Sequence, residues 1–398
     1  MCEGDRDLSL LHDLHSMPAP RSLVDPHARP AGRNAPAATL LGLEVMRFVC
    51  ALSVLLWHYQ HFYVVGPVTA ELVHDHAVQP LASWLAPFYG HGWLGVQAFW
   101  ALSGFIFFWK YAQAVADGKV AAGRFAWLRF SRLYPLHLVT LLAMLPLIAW
   151  YRAQTGQDYV YTHNDAEHFV LQLFLASDWA GRSEWSFNGP IWSISIEVLA
   201  YAVFFALSRL GWVRLWQIGA VIAATGAVYA LRLTPHPLVL CLFFFYLGGL
   251  THAAWRWLQA APDSVRRLAH AGMATALVLG TALAVANWLR PMFYVALLTP
   301  VAMLGLLAGV QPRSERVARA LTTLGHTTYA SYLLHFPLQL LVANLSGGDP
   351  SRLPLHSPWW LLGYLVVTFG LAALTYRWLE APAQAALRRW SDGRRVKA

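Results

Sequence analysis

Ten apolar stretches, each close to the ~20 residues that a helix needs to cross a bilayer, constrain this chain more than any other feature. They fall at about 40–64, 91–112, 131–151, 188–208, 213–231, 237–256, 267–289, 292–310, 321–345 and 358–380. In hydrocarbon every backbone N–H and C=O must be satisfied within the protein, so repeated segments of this length are helices. The expected fold class is all-α: a polytopic integral membrane protein of about ten transmembrane helices. The membrane domain is expected over 39–384, between a disordered tail over 1–38 and a basic tail over 385–398. Segment 166–177 is too short to span and is expected to be interfacial or re-entrant.

Only 12% of the residues are charged, about half the share of a soluble globular protein. The net charge of +9 and pI near 9.6 would raise nucleic acid as a partner of a soluble chain. Here the distribution gives another account. With the N-terminus inside, twenty-three of the 29 Lys and Arg fall on one side of the membrane and five on the other, with Arg47 left inside the first span. That asymmetry is the positive-inside pattern. It predicts cytoplasmic termini and accounts for the basic pI with no nucleic-acid partner. No cleaved signal peptide is expected, because the stretch before the first span is polar and proline-rich. Cys2, Cys50 and Cys241 show no paired spacing, which argues against disulfides and a zinc site. His12, Asp13 and His15 are expected in a solvated tail, not on a metal.

Against this background a few polar residues are out of place. An ionisable group inside a span costs ~2.5–3.5 kcal/mol on insertion scales and usually lines a functional cavity. Glu44, Arg47 and His58 share the first span. Glu44 and Arg47 are three apart and can pair. Arg47 and His58 are eleven apart, which places them on one helix face about 16 Å from each other along the axis. A snorkelling arginine and a carbonyl-bonded histidine would be the structural alternative. In the second span Ser103 and Gly104 lie among aromatics, where small residues permit either close helix packing or access to a ligand. "RFAWLRFSRLYP" places Arg129 and Arg132 three apart, with Arg124 before them and Tyr134 just after. They serve either topology or, as planar forks, a phosphate.

The fourth span opens "NGPIWSISIEVLAY", gathering Asn188, Trp192, Ser193, Ser195, Glu197 and Tyr201 in fourteen residues. Glu197 and Tyr201 share a face, and the group offers an aromatic surface with several hydroxyls. The ninth span carries His326, Tyr329, Ser331, Tyr332 and His335 before Pro337, which frees backbone groups. Gly248 and Gly249 in the sixth span suit a close helix contact.

Taken together these segments resemble membrane acyltransferase family 3. "LEVMRFVCALSVLLWH" is similar to its first-span pattern of an acid, an Arg and, after ten residues, a His. "GVQAFWALSGF", "RFSRLYPLHL", "NGPIWSISIEVLAY", "TYASYLLHFPL" and "TYRWLEAP" follow in the family's order over about 38–384. Glu44 stands where Asp is commoner, and Ala381 where a basic residue is. The stand-alone form, without an esterase-like C-terminal domain, is expected.

The resemblance implies an acyl-CoA donor, acetyl by default, with no metal. Arg47, Arg129, Arg132, Tyr134 and Ser103 would bind it. It implies that His58, assisted by Glu44 and Glu197, takes the proton from a sugar hydroxyl of a surface glycan. Asn188, Trp192, Ser193, Ser195, Tyr201, Tyr332 and His335 would surround that acceptor. From the residues alone a proton-coupled transporter stays open, since carriers also place His, Glu and Arg in spans. No internal repeat relates the two halves.

Overall fold

The computed structural model describes residues 40–67 and 76–395; the expected tail over 1–38 lies outside the described residues. Its regular elements among these residues are helices, in the order α1 (Leu41–His58), α2 (Ala82–His91), α3 (Gly95–Phe107), α4 (Gln113–Ala116), α5 (Ala122–Thr155), α6 (Ala166–Leu173) and α7 (Trp192–Arg209). Then come α8 (Leu215–Ala230), α9 (Pro237–Ala260), α10 (Asp263–Val285), α11 (Pro291–Gly309), α12 (Glu315–Leu345), α13 (Pro358–Thr375) and α14 (Ala381–Arg395). Three irregular turns extend these helices. A 3₁₀ turn, Tyr59–Tyr63, ends α1, and π-helical turns Phe108–Ala112 and Tyr376–Glu380 join α3 to α4 and α13 to α14.

Helices stand at all ten expected places, but eight are long and apolar enough to cross a membrane. The other two depart for different reasons. Helix α8 has only 16 residues. Helix α12 has 31, but it is rich in Thr, Ser, His and Gln because it packs between α1, α5 and α13 and buries that polar face in protein. Helices α10 and α11 lie at the periphery, with 6% and 11% of their spanning windows buried, against 56% for the α1 span. Segment 166–177 forms the short helix α6 and a turn. Residues 385–395 continue α14, which the Trp127 indole and Arg124 fasten to α5 through Leu387 O and Asp392.

Glycines set the central crossing. A Cβ on Gly104 of α3 would strike the backbone carbonyl of Phe245, and one on Gly248 of α9 would strike that of Ala101. Each helix therefore offers its bare backbone to the other, the small-residue solution to packing in lipid. Gly249 meets the Phe108 ring in the same way. This approach leaves Ser103, the neighbour of Gly104, facing a cavity.

Proline has a local cost here that the structure repays. Pro337 lies inside α12 and cannot donate to the carbonyl four residues earlier. That carbonyl, Leu333 O, instead accepts from Asn188 Nδ2 at 2.9 Å. Ser195 also works on backbone: its Oγ accepts from Asp178 N–H at 3.1 Å, and its carbonyl accepts from the Trp179 indole. These bonds pin the loop after α6.

Outside the spans, that region holds a charge cluster. The Asp165 carboxylate caps α6 and bonds His168 Nδ1 at 2.8 Å, while Glu184 approaches Nε2 at 3.4 Å. His163 stacks nearby, and Arg182 pairs with Glu167 and Glu184. Burial pulls His168 down, but the bonds and charges of Asp165 and Glu184 outweigh it, so the folded value lies above 6.5.

Two predictions follow from this architecture. Gly104→Leu and Gly248→Leu are each expected to lose about 1–3 kcal/mol or more by overpacking, whereas Gly363→Ala, with open space around it, is tolerated; thermal melting in detergent compares them. The His168 pair stabilises α6 fully below the unfolded pKa and is lost as pH rises through the raised folded one. Amide exchange in α6, corrected for intrinsic rates, is expected to be slower near pH 5.5 than near pH 8. Asp165→Asn, which keeps the cap but not the charge, should abolish that difference.

Candidate functional site

Two cavities lie along the inner face of α1. The first, about 170 Å³, is walled by α1, α3, α5, α7 and α12 and presents Arg47, Arg129, Arg132, Ser103, Glu197 and Tyr201, with Ser193, Tyr329 and Tyr332. The second, about 320 Å³, presents His58 amid Trp57, Trp93, Tyr161, Trp185 and Trp192, with Gln97 and Tyr332. The 3.6-residue period carries α1 from one to the other: Arg47 and His58 sit on one face, about three turns apart.

The three arginines differ in how they are held. Arg47 Nη1 donates to both oxygens of Glu44, at 3.0 and 2.9 Å. Glu44 has room because Gly325 of α12 lacks a side chain there. Arg132 pairs with Glu380 and lies over the Tyr329 ring. Glu380, 1% exposed, comes from the π-helical turn after α13. Arg129 donates to the Tyr111 hydroxyl at 2.8 Å and packs on the Phe107 and Tyr111 rings; Tyr111 belongs to the other π-helical turn. Among the described residues Arg129 has no carboxylate partner within ion-pair distance, and its buried Nε has no hydrogen-bond partner. A fork of two free arginines is thus not what stands here: Arg132 is tied to an acid, and Arg129 is the cation with charge to spare. Glu197 lies beside Ser103 and Tyr201, and its Oε1 is buried without a partner.

At the other end the geometry fixes a tautomer. His335 Nδ1 is 2.6 Å from Tyr332 O. A carbonyl only accepts, so Nδ1 carries the proton, and neutral His335 offers Nε2 as an acceptor. His58 Nδ1 lies 3.1 Å from it and is therefore the donor. This leaves the His58 Nε2 lone pair free, as a base requires. The His58 carbonyl accepts from Gln339 Nε2 at 2.8 Å, and Gln339 Oε1 accepts from His61 Nδ1 at 3.1 Å. Trp57 packs edge-on against the His58 ring.

The structure thus gathers most of the residues singled out in the sequence, in two groups and not one. Arg47, Arg129, Arg132, Ser103, Glu197, Tyr201 and Ser193 meet in the first cavity, and His58 and Trp192 in the second. Tyr332 touches both, and His335 supports His58 from behind. Glu44, Tyr134, Asn188 and Ser195 line neither. Glu44 holds Arg47, Tyr134 stacks on Phe130, and Asn188 and Ser195 satisfy backbone. Arg124 pairs with Asp392, and His326 stacks on Tyr376. Sequence reasoning did not find His61, Gln339 and Glu380. His61 follows His58 by three residues and Gln339 follows His335 by four, spacings that share a helix face. Glu380 carries no such signal, because its inward aim depends on a π-helical turn.

Comparison with known proteins identifies the family of the chain. No solved structure matches the chain. The chain is 28% identical to "Acyltransferase MdmB" of Streptomyces mycarofaciens over 350 residues, covering 78% of this chain and 81% of that protein. It is 36% identical to "Protein 2 in picA locus" of Rhizobium radiobacter over 84 residues, 20% of this chain and 39% of that one. The profile of the acyltransferase domain family spans residues 40–377, from the start of α1 to the second π-helical turn. The chain belongs to that family and is a membrane acyltransferase.

Proposed function

We propose that this protein moves an acyl group, acetyl by default, from cytoplasmic acyl-CoA to a hydroxyl of a sugar in a surface glycan such as an exopolysaccharide or O-antigen. It would do so from a bacterial inner membrane with both chain ends in the cytoplasm. The observation that carries this reading is the base: a buried imidazole whose tautomer His335 sets, facing an aromatic cavity, three helical turns from an arginine cavity.

The donor residues fit a thioester in part. A cavity of about 170 Å³ admits the narrow thioester end of a coenzyme A arm, not its nucleotide. Arg129, with an unmatched charge and an unpartnered Nε, would polarise the thioester carbonyl. Arg47 and Arg132, already neutralised, would shape the field around it. Indole faces and polar edges such as those of Trp57, Trp93 and Trp192 suit a sugar ring. In the reaction, His58 Nε2 takes the hydroxyl proton as the oxygen attacks the thioester carbonyl. The tetrahedral intermediate then collapses, the C–S bond breaks, and the imidazolium returns the proton to the departing thiolate. Glu197 sits at the arginine end, where its free oxygen can hold a donor amide or balance the arginines.

His58→Ala is expected to lower the release of free coenzyme A from acetyl-CoA, measured with a panel of sugar glycosides, by about 10²–10⁴-fold while leaving donor binding intact. Retention of more than about a tenth of the rate would remove His58 from this role. Uncleaved acetyl-CoA with all glycosides would point to a carrier.

Arg129→Ala is expected to raise the KM for acetyl-CoA more than it lowers kcat, with only partial rescue by Lys, which lacks the planar fork. Arg132→Ala strands buried Glu380 and should lower the melting temperature as well, since losing one partner of a buried pair costs roughly 3–5 kcal/mol. Equal KM in wild type and Arg129→Ala would show that Arg129 only sets topology.

A further inference from the structure

The two cavities have only two walls in common, Val96 of α3 and Tyr332 of α12. The three arginines line the first cavity alone, and His58 lines the second alone. The shared lining places Val96 and Tyr332 where an acyl group held at the arginine end and a hydroxyl activated at the histidine end would meet.

Tyr332 is fastened in that position. Its hydroxyl donates to Pro190 O at 2.8 Å and lies 2.7 Å from Ser193 Oγ, both at the start of α7. Its ring packs edge-on against Phe99 on the arginine side, at 6.4 Å between centroids, and lies 5.7 Å from the His335 ring on the other. Its carbonyl holds the His335 proton that sets the His58 tautomer. The phenol is thus tethered at its tip by two bonds to another helix, while its backbone is part of the base's support. Releasing the tip frees the ring to turn without moving α12 or disturbing the base.

We propose that Tyr332 is a gate between donor and acceptor cavities and that, with Val96 opposite, it sets the size of acyl group that reaches His58. This rests on the acyl-transfer reading above and adds what that reading leaves open: the acyl selectivity and the protection of the thioester from water. Closed, the ring keeps water in the acceptor cavity from the thioester. Open, the gap beside Val96 admits a short acyl chain more readily than a long one.

The test uses the purified full-length protein with acetyl-, butyryl- and octanoyl-CoA. Free thiol is followed with and without a methyl glycoside as acceptor. Tyr332→Phe keeps the ring but loses the tether, and is expected to raise acceptor-independent thiol release about fivefold or more through exposure to water. Val96→Ala widens the gap and is expected to raise the octanoyl-to-acetyl rate ratio about tenfold. A merely structural role would lower the rates for all thioesters in parallel and leave that ratio alone. Unchanged hydrolysis in Tyr332→Phe together with an unchanged ratio in Val96→Ala overturns the gate, while thiol release that His58→Ala abolishes leaves acyl transfer standing. No thiol release by the wild type from any thioester overturns acyl transfer, and the gate with it. Should Tyr332→Phe fail to fold, the ratio in Val96→Ala decides alone.

Discussion

A charge that lipid cannot solvate has to be solvated by protein, and the interior of this molecule is arranged around that requirement. Arg47 lies in the first turns of a helix that is mostly apolar. Glu44 supplies its countercharge from the same helix, and Gly325 of α12 gives up a side chain to make room for that acid. The same demand explains Glu380 beside Arg132 and the ring faces beneath Arg129. Each cation at the arginine end is compensated by a different device, and only Arg129 is compensated incompletely. That inequality carries more chemical information than the count of arginines.

The helices were legible because the hydrophobic run is a strong signal and lipid permits few alternatives. Helix α12 shows the limit. Its polar face would disqualify it as a span in isolation, yet that face is buried against α1 and α5 and carries the support for His58. Of the site, the residues that must be charged or basic in an apolar context, Arg47, His58 and Glu197, stood out at once. Asn188 and Ser195 stood out as well, and in the structure both bond backbone. Asn188 repays the carbonyl that Pro337 orphans, and Ser195 pins a loop. A polar residue in a membrane helix can answer to a broken backbone as readily as to a substrate, and only the third dimension separates the two.

The division into two cavities was not legible at all. Residues from one short block, Trp192, Ser193, Glu197 and Tyr201, read as one acceptor surface along the sequence. On α7 Ser193, Glu197 and Tyr201 share one face and line the arginine cavity, whereas Trp192 lies off that face and lines the histidine cavity. One helix thus serves both ends of the reaction path, as α1 does with Arg47 and His58.

The two π-helical turns give the site an unusual kind of fragility. Each holds one residue more than an α-helical turn needs, and each carries the partner of an arginine, Tyr111 for Arg129 and Glu380 for Arg132. Such a turn is in effect a one-residue insertion accommodated within a continuous helix. Shortening the chain by a single residue at 108–112 or 376–380 would restore the regular helix and leave hydrophobicity nearly unchanged. It would also remove the bulge that aims Tyr111 or Glu380 at its arginine, while the helix beyond keeps its place. The chain would still look like a membrane helix bundle, with Arg129 or Arg132 deprived of its partner. The extra residue at each of those two places therefore matters through the direction it gives one partner of an arginine.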